Sequence, residues 1–267
     1  MKAKAHSKTS SAAKPRSTVH FVPQYFLNPV HRISVVLVGA GGNGSQMLSA
    51  LARIDHALRA LQRAGIHVTV FDPDTVEEPN IGRQLFTMSE LGQNKAVCLV
   101  TRFNRAFGLD WKAVPRRWDG TTANIIISCV DNVSARLQIA SAFHKQRIVE
   151  DEYSQYYWLD LGNAQATGQA VLGSNSIKQP ATKEYNTVKR LPCADELFDL
   201  EAVNEEDSGP SCSLAEALAK QDLFINSTLT QAAASLLWSI LKDVAIDYQG
   251  FYVNTDTYRM SPITIAK

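Results

Sequence analysis

The sequence predicts an α/β fold: a doubly wound sheet, parallel through its N-terminal half and continued by antiparallel strands in its C-terminal half. Three observations lead there. An apolar, β-branched run at residues 33–38 leads straight into the glycine-rich turn GAGGNGSQ at residues 39–46. Two further apolar runs end in acids, one at Asp72 and Asp74 and one at Asp131. Past residue 155 the texture changes to alternating segments punctuated by glycine. Continuous apolar runs mark strands buried on both faces, whereas alternation marks antiparallel strands.

The elements follow in order. After the first strand and the glycines, Met47, Leu51, Ile54, Leu58 and Leu61 recur at helical spacing, and Gly65 is expected to close that helix. IHVTVFDPD is the second strand with its acids. Strand, glycine turn, helix, strand and acid together make half of a Rossmann-like sheet. ELGQNKAVCLVTRFNRAFG is an amphipathic helix, WKAVPRRW a short strand, NIIISCVDN a buried strand and SARLQIASAFHKQ the helix after it. YYWLDLGNAQATGQAVLG is expected as antiparallel strands. A polar, irregular stretch from 174 to 209 follows, acidic toward its end. Then come a helix at LAEALAKQ, a longer apolar one in FINSTLTQAAASLLWSILKDV, and two short strands, GFYVN and SPITI.

The totals narrow the function. The chain has 267 residues, 45% of them hydrophobic, and a formal net charge of +1. That balance gives no electrostatic case for nucleic acid or a membrane as main partner. No apolar stretch is long enough to span a bilayer. Cys98, Cys129, Cys193 and Cys212 lie far apart without a CxxC pair, so neither a disulfide framework nor a zinc clip is expected. Cys98, Cys129 and the tryptophans (Trp111, Trp118, Trp158, Trp238) are expected as core or interface residues, and Cys193 as an idle loop residue. Residues 1–17 are basic, Ser/Ala-rich and free of acids, and are expected to be a disordered tail. The expected compartment is the cytoplasm.

The glycine turn alone suits NAD as well as ATP, and an acid after the second strand would hydrogen-bond a ribose in either case. The residues beyond it discriminate. Asn80, Arg83, Gln84 and Lys95 form a polar and cationic set that a dinucleotide does not call for. A triphosphate does, because Arg and Lys neutralise its terminal phosphates. Asp131, at the end of the third long strand, faces the same crevice and is a candidate ligand for Mg²⁺.

In order, these motifs read GxGGxG, D-x-D-x-V-x-x-x-N-x-x-R-Q, G-x-x-K and D-N-x-x-x-R. They are carried by Gly39, Gly41, Gly42, Gly44, Asp72, Asp74, Val76, Asn80, Arg83, Gln84, Gly92, Lys95, Asp131, Asn132 and Arg136. The set resembles that of the ubiquitin-activating enzyme/ThiF/MoeB superfamily, and among its members the chain is most similar to the ThiF-type proteins of bacterial PRTRC clusters. The resemblance implies a single adenylating domain over residues 18–267. Its nucleotide-binding half would span 18–150. Its carrier-binding half would span 151–267, with a crossover loop at about 174–212. It implies Mg-ATP as cosubstrate and a small ubiquitin-like or sulfur-carrier protein ending in Gly-Gly as partner. Asp72 would hold the ribose, Asn80, Arg83 and Lys95 the phosphates, and Asp131 the metal. A homodimer is implied as well.

Two departures stand out. Many superfamily members bring an N-terminal arginine to the ATP; here Arg32 is the nearest substitute. Many hold zinc on two CxxC pairs; here that region has only Cys193. A final candidate is Cys212, in SGPSCSLAEAL, which is similar to the P-x-C-[ST]-L setting of the thioester cysteine in ubiquitin-activating enzymes. Ser213 and Glu216 have capping-box spacing, so a helix is expected to start beside Cys212 and to favour its thiolate. The acids Glu201, Glu205, Glu206 and Asp207 would act against that if close. Two alternatives stay open: an NAD-dependent oxidoreductase, and adenylation of a small molecule, tRNA or peptide without a thioester.

Overall fold

The structure is a computed structural model, and it describes residues 17–146, 151–200 and 221–266. The strands are β1 (Thr18–Phe21), β2 (Ile33–Val38), β3 (Ile66–Phe71), β4 (Lys112–Val114), β5 (Ile125–Ser128), β6 (Tyr157–Asn163), β7 (Thr167–Ser174), β8 (Asn186–Thr187), β9 (Ala245–Ile246), β10 (Tyr248–Asn254) and β11 (Arg259–Thr264). The helices are α1 (Gln24–Leu27), α2 (Gly42–Ala60), α3 (Lys95–Phe107), α4 (Val133–His144), α5 (Ala194–Leu197) and α6 (Ile225–Lys242).

Eight strands form one sheet in the spatial order β11-β10-β7-β6-β5-β2-β3-β4. From β4 to β6 every pairing is parallel, and from β6 to β11 every pairing is antiparallel. The expected fold class is therefore present, and YYWLDLGNAQATGQAVLG forms the antiparallel pair β6–β7. β6 also runs parallel to β5 on its other side, so the direction changes between β6 and β7. Tyr157–Leu161 all lie in the interior.

The alternation of β2 shows why the sheet is covered on both sides. Ile33, Val35 and Leu37 join one cluster with Leu48, Leu51 and Leu58 of α2 and Leu229, Leu237 and Ile240 of α6. Val36 and Val38 join a second cluster with Ile139, Ala140 and Phe143 of α4. A strand feeding two helical layers has no polar face to show, hence its continuous apolar run.

Helix ends differ from the sequence expectation by local chemistry. α2 stops at Ala60 and not at Gly65; Gln62 turns left-handed at φ 61°. Gly65 instead takes φ 80° at the entry to β3, where the buried Asp55 carboxylate accepts the Ile66 N–H at 2.8 Å. α3 begins at Lys95 because the Asn94 side chain caps it, accepting from Val97 N–H at 3.1 Å. A small sheet, β8-β1-β9, had no signal in the sequence. The long sheet ends at β4, three residues long, and at β11, where Pro262 sits mid-strand opposite Phe251.

β1 also brings in a buried histidine. His20 is 0% exposed. Its Nδ1 lies 2.8 Å from the Val188 carbonyl and its Nε2 3.1 Å from the Tyr157 hydroxyl. This is the geometry of a neutral ring, Nδ1–H donating to the carbonyl and Nε2 accepting from the phenol. Burial pushes its pKa down to about 4. The unfolded chain therefore takes up a proton between pH 6.5 and about 4 that the folded chain refuses, and stability falls as pH falls through that window. The expected loss from His20 is roughly 3 kcal/mol. Urea denaturation across this range should show His20→Gln with a correspondingly flatter pH dependence than the parent.

Candidate functional site

The site is built at the C-terminal ends of β2, β3 and β5, where an open α/β sheet places its ligand. Gly39 leaves β2 at φ 90°, and a Cβ there would meet the Cys129 carbonyl oxygen at 2.6 Å. Gly44, on the first turn of α2, lies against the Gly39 carbonyl with no room for a side chain. Gly42 lies under the carboxamide of Asn226, which a Cβ would meet at 2.7 Å. Gly41 is the N-cap of α2 and has no side-chain cap; Ser45 N–H bonds back to its carbonyl at 2.9 Å. The first amides of the helix therefore face the crevice without a carboxylate of their own, which suits an anion.

Asp72 holds the turn from the next strand. One carboxylate oxygen accepts the buried Ala40 N–H at 2.6 Å, and the other accepts Asp74 N–H at 2.8 Å. Burial pushes its carboxyl up, against those two N–H groups and Lys95. Asp74 reaches Lys95 Nζ at 3.4 Å, and its carbonyl accepts the Lys95 and Asn94 amides at 2.9 Å. Asn80 is buried in a 3-10 turn, its Oδ1 accepting Glu77 N–H at 2.9 Å. Leu85 N–H donates to Ser45 Oγ at 3.2 Å, which docks the Arg83–Gln84 segment on the glycine turn. Arg83 donates to Gln221 Oε1 at 2.5 Å, and burial pushes its guanidinium pKa down. Asp131 is exposed beyond β5, contacted by Asn132 Nδ2 at 3.2 Å. Among the described residues the glycine turn, Asp72, Asp74, Asn80, Arg83, Gln84, Lys95 and Asp131 thus follow the C-terminal ends of β2, β3 and β5, whereas Arg32 does not. Cys212 lies outside the described residues, as do Glu201, Glu205, Glu206, Asp207, Ser213 and Glu216, so its setting remains an expectation.

Other polar groups at the edge were missed by the sequence reading. Asn43 donates to Asn163 of β6 at 2.8 Å. Asn226 donates to Gln221 Oε1 at 3.0 Å, and Thr230 donates to the Asn43 carbonyl at 3.4 Å. Asn226 and Thr230 stand four apart in an otherwise apolar helix, and that spacing was the available signal. Asn43 Oδ1, Gln84 Oε1 and Arg83 Nε are buried without a partner among the described residues. Orphaned polar atoms are costly, and a polar ligand or water in the crevice would satisfy them. Behind Asp131, Arg136 donates to the Val130 and Leu161 carbonyls at 3.2 Å and faces buried Asp160 at 3.3 Å, which fixes the end of β5.

Two expectations are corrected. Arg32 precedes β2 and pairs with Asp110, which precedes β4, so it stands at the opposite end of parallel strands and cannot reach this edge. Cys193 is not an idle loop residue. It is fully buried against Gly173 and caps α5. Its sulfur lies with His144, Asp195 and Glu196, each offering a ligand atom within 4.8 Å of the others. Those carboxylates are already engaged, Asp195 with His144 at 2.9 Å and Glu196 with Arg190. Burial pushes the Cys193 and Cys129 thiols well up, so neither is an activated nucleophile.

No described helix is long and apolar enough to cross a membrane. The ThiF family pattern matches residues 16–267. No curated protein matches the chain. Among solved structures, PaaA superposes with a TM-score of 0.56 at 14% identity, over 88% of this chain and 64% of that one. E. coli MccB, crystallised with ATP, gives 0.55 at 12%, over 91% and 66%. The Microcin C7 biosynthetic enzyme MccB in complex with N-formylated MccA gives 0.53 at 12%, over 88% and 65%. At these identities the likeness is one of fold, and the chain spans somewhat less than two thirds of each structure's length.

Asp72 is thus as much a structural tie as a ligand contact. Asp72→Ala leaves the Ala40 N–H buried and without its acceptor. It is expected to cost about 1–3 kcal/mol in denaturant unfolding, before any ligand is added.

Proposed function

Because the chain belongs to the ThiF family, we propose that it uses ATP to adenylate the C-terminal Gly-Gly carboxylate of a small ubiquitin-like or ThiS-like protein. The observation that carries this is the convergence, at one sheet edge, of an uncapped glycine turn, two cations and an exposed acid. A dinucleotide site would use the turn and Asp72 but would leave Arg83 and Lys95 without a purpose. PRTRC-type membership, a homodimer without a zinc clip, a cytoplasmic setting and the division at residue 150 belong to the same proposal.

The chemistry follows from charge. The carrier's carboxylate is already ionised at neutral pH, so an oxygen of it attacks the α-phosphorus without a general base. A carboxylate–phosphorus bond forms, the bond from that phosphorus to its β-bridging oxygen breaks, and pyrophosphate leaves with the electron pair. Arg83, Lys95 and the first amides of α2 neutralise charge that builds on the phosphates, and preplaced charges of this kind lower such barriers most. Asn80 would donate to a phosphate and Asp72 would accept from the ribose. Asp131 fits a magnesium ion: it is an exposed hard oxygen ligand, with room for the waters that Mg²⁺ keeps. The ion, when bound, would neutralise phosphate charge. In the second step the Cys212 thiolate attacks the acyl carbon, AMP leaves, and a thioester remains.

The test is ATP–pyrophosphate exchange with candidate Gly-Gly proteins. Exchange is expected only with the cognate carrier. Arg83→Ala and Asp131→Ala are each expected to slow it by about a hundredfold or more. NAD binding in place of ATP would replace this reading with the oxidoreductase. Exchange supported by a peptide or tRNA in place of a carrier would select the other alternative. Intact mass should show a thiol-sensitive adduct that Cys212→Ala abolishes; exchange with no adduct would mean direct transfer.

A further inference from the structure

Among the described residues, Arg32, Arg59, Arg102, Arg116, Arg136 and Arg190 each face a carboxylate, of Asp110, Asp55, Glu90, Asp119, Asp160 and Glu196 respectively. Arg53 and Arg63 bond neutral oxygens, of the exposed Gln231 amide and of the Leu241 backbone, away from the crevice. Arg83, partly buried at the crevice, also faces no carboxylate among the described residues. Its Nη1 instead donates to the neutral amide oxygen of Gln221 at 2.5 Å, and its Nε is buried without a partner among the described residues. The same Gln221 oxygen accepts Asn226 Nδ2 at 3.0 Å. Asn226 is 2% exposed and lodged against Gly42, and Thr230, one turn on, bonds to the Asn43 carbonyl. An unbroken line of contacts thus runs from the glycine turn through Asn226 and Gln221 to the guanidinium.

We propose that Gln221 is a positioning residue that aims Arg83 at an anionic ligand without itself offsetting the guanidinium charge, and that Asn226 fixes Gln221 to the glycine turn. The inference rests on the adenylation reading for the identity of that anion, the phosphates of ATP. An amide gives Arg83 an acceptor and so a fixed direction. A carboxylate in the same place would give direction and also neutralise the charge, and in a partly buried setting that ion pair would compete with the phosphates. Apolar side chains at 221 would leave the charge free but unaimed. Glutamine supplies direction without neutralisation. The arrangement also accounts for Gly42, since any side chain there would displace the Asn226 amide on which Gln221 depends.

Three full-length proteins separate these effects: the parent, Gln221→Glu and Gln221→Met, checked for equal thermal midpoints. Binding of MgATP and of inorganic triphosphate is measured by calorimetry at pH 7.5. Gln221→Glu is expected to weaken both ligands about tenfold or more, because a carboxylate paired with Arg83 stays ionised at this pH and neutralises the guanidinium. Gln221→Met is expected to lose only severalfold, and in exchange assays the loss should appear in KM for ATP more than in kcat. A Gln221→Glu protein that binds like the parent, or that is weakened no more than Gln221→Met, overturns the proposal. So does a Gln221→Met protein indistinguishable from the parent, which decides the matter if the glutamate variant does not fold. If the parent binds triphosphate but not ATP, the adenylation reading fails while the Arg83 arrangement is still judged on triphosphate.

Discussion

The site depends on how closely three backbone segments approach at the end of β2. The carbonyl of Gly39 meets Gly44, the carbonyl of Cys129 meets Gly39, and no side chain fits between them. That contact lets α2 start directly over the sheet with its free amides in the crevice, and it draws the end of β5 to the same point. Asp72 bonds across from β3 to keep the turn in this shape. Cations and acids arranged around a looser turn would have no common target.

The second layer of organisation is how the buried polar groups are paired. Burial raises the cost of any charge or hydrogen-bonding group left alone. Much of the interior meets that cost internally. Asp55 bonds Ile66 N–H and Arg59, Asp160 faces Arg136 and accepts the Ser128 hydroxyl, and Asn124 bonds both Ser34 and the backbone before β6. Single buried atoms of Arg102, Arg136, Gln155 and Asp195 are left without a hydrogen-bond partner among the described residues. At the crevice three such atoms, on Asn43, Gln84 and Arg83, fall on two segments that dock on each other, and Arg83 faces no carboxylate among the described residues. That concentration agrees with the motif residues on where a polar ligand would be held.

Much of this was legible in the sequence. The parallel half could be read because its strands are buried on both faces and its turns are marked by glycine and acid. Asp72, Asp74, Asn80, Arg83, Gln84, Lys95 and Asp131 announced themselves by order and spacing. What stayed hidden was whatever arises from pairing between distant segments. β6 could not reveal its direction, because direction is set by its partners. β1, β8 and β9 are too short to carry a pattern. Gln221 and Asn226 acquire meaning only when α6 packs over α2, and Arg32 seemed suitable only because sequence proximity to the turn hides that it lies at the other end of a strand.

The margins of the long sheet have a further consequence. β4 offers only three residues of edge, and on β11 Pro262 leaves a gap in the row of backbone donors. Edges so short or interrupted are poor templates for adding another strand. The molecule thereby limits its own tendency to stack sheet upon sheet through its margins. An extended chain end arriving from another protein also finds few backbone partners there, so the crevice at the strand ends is left as the place with hydrogen bonds still to offer.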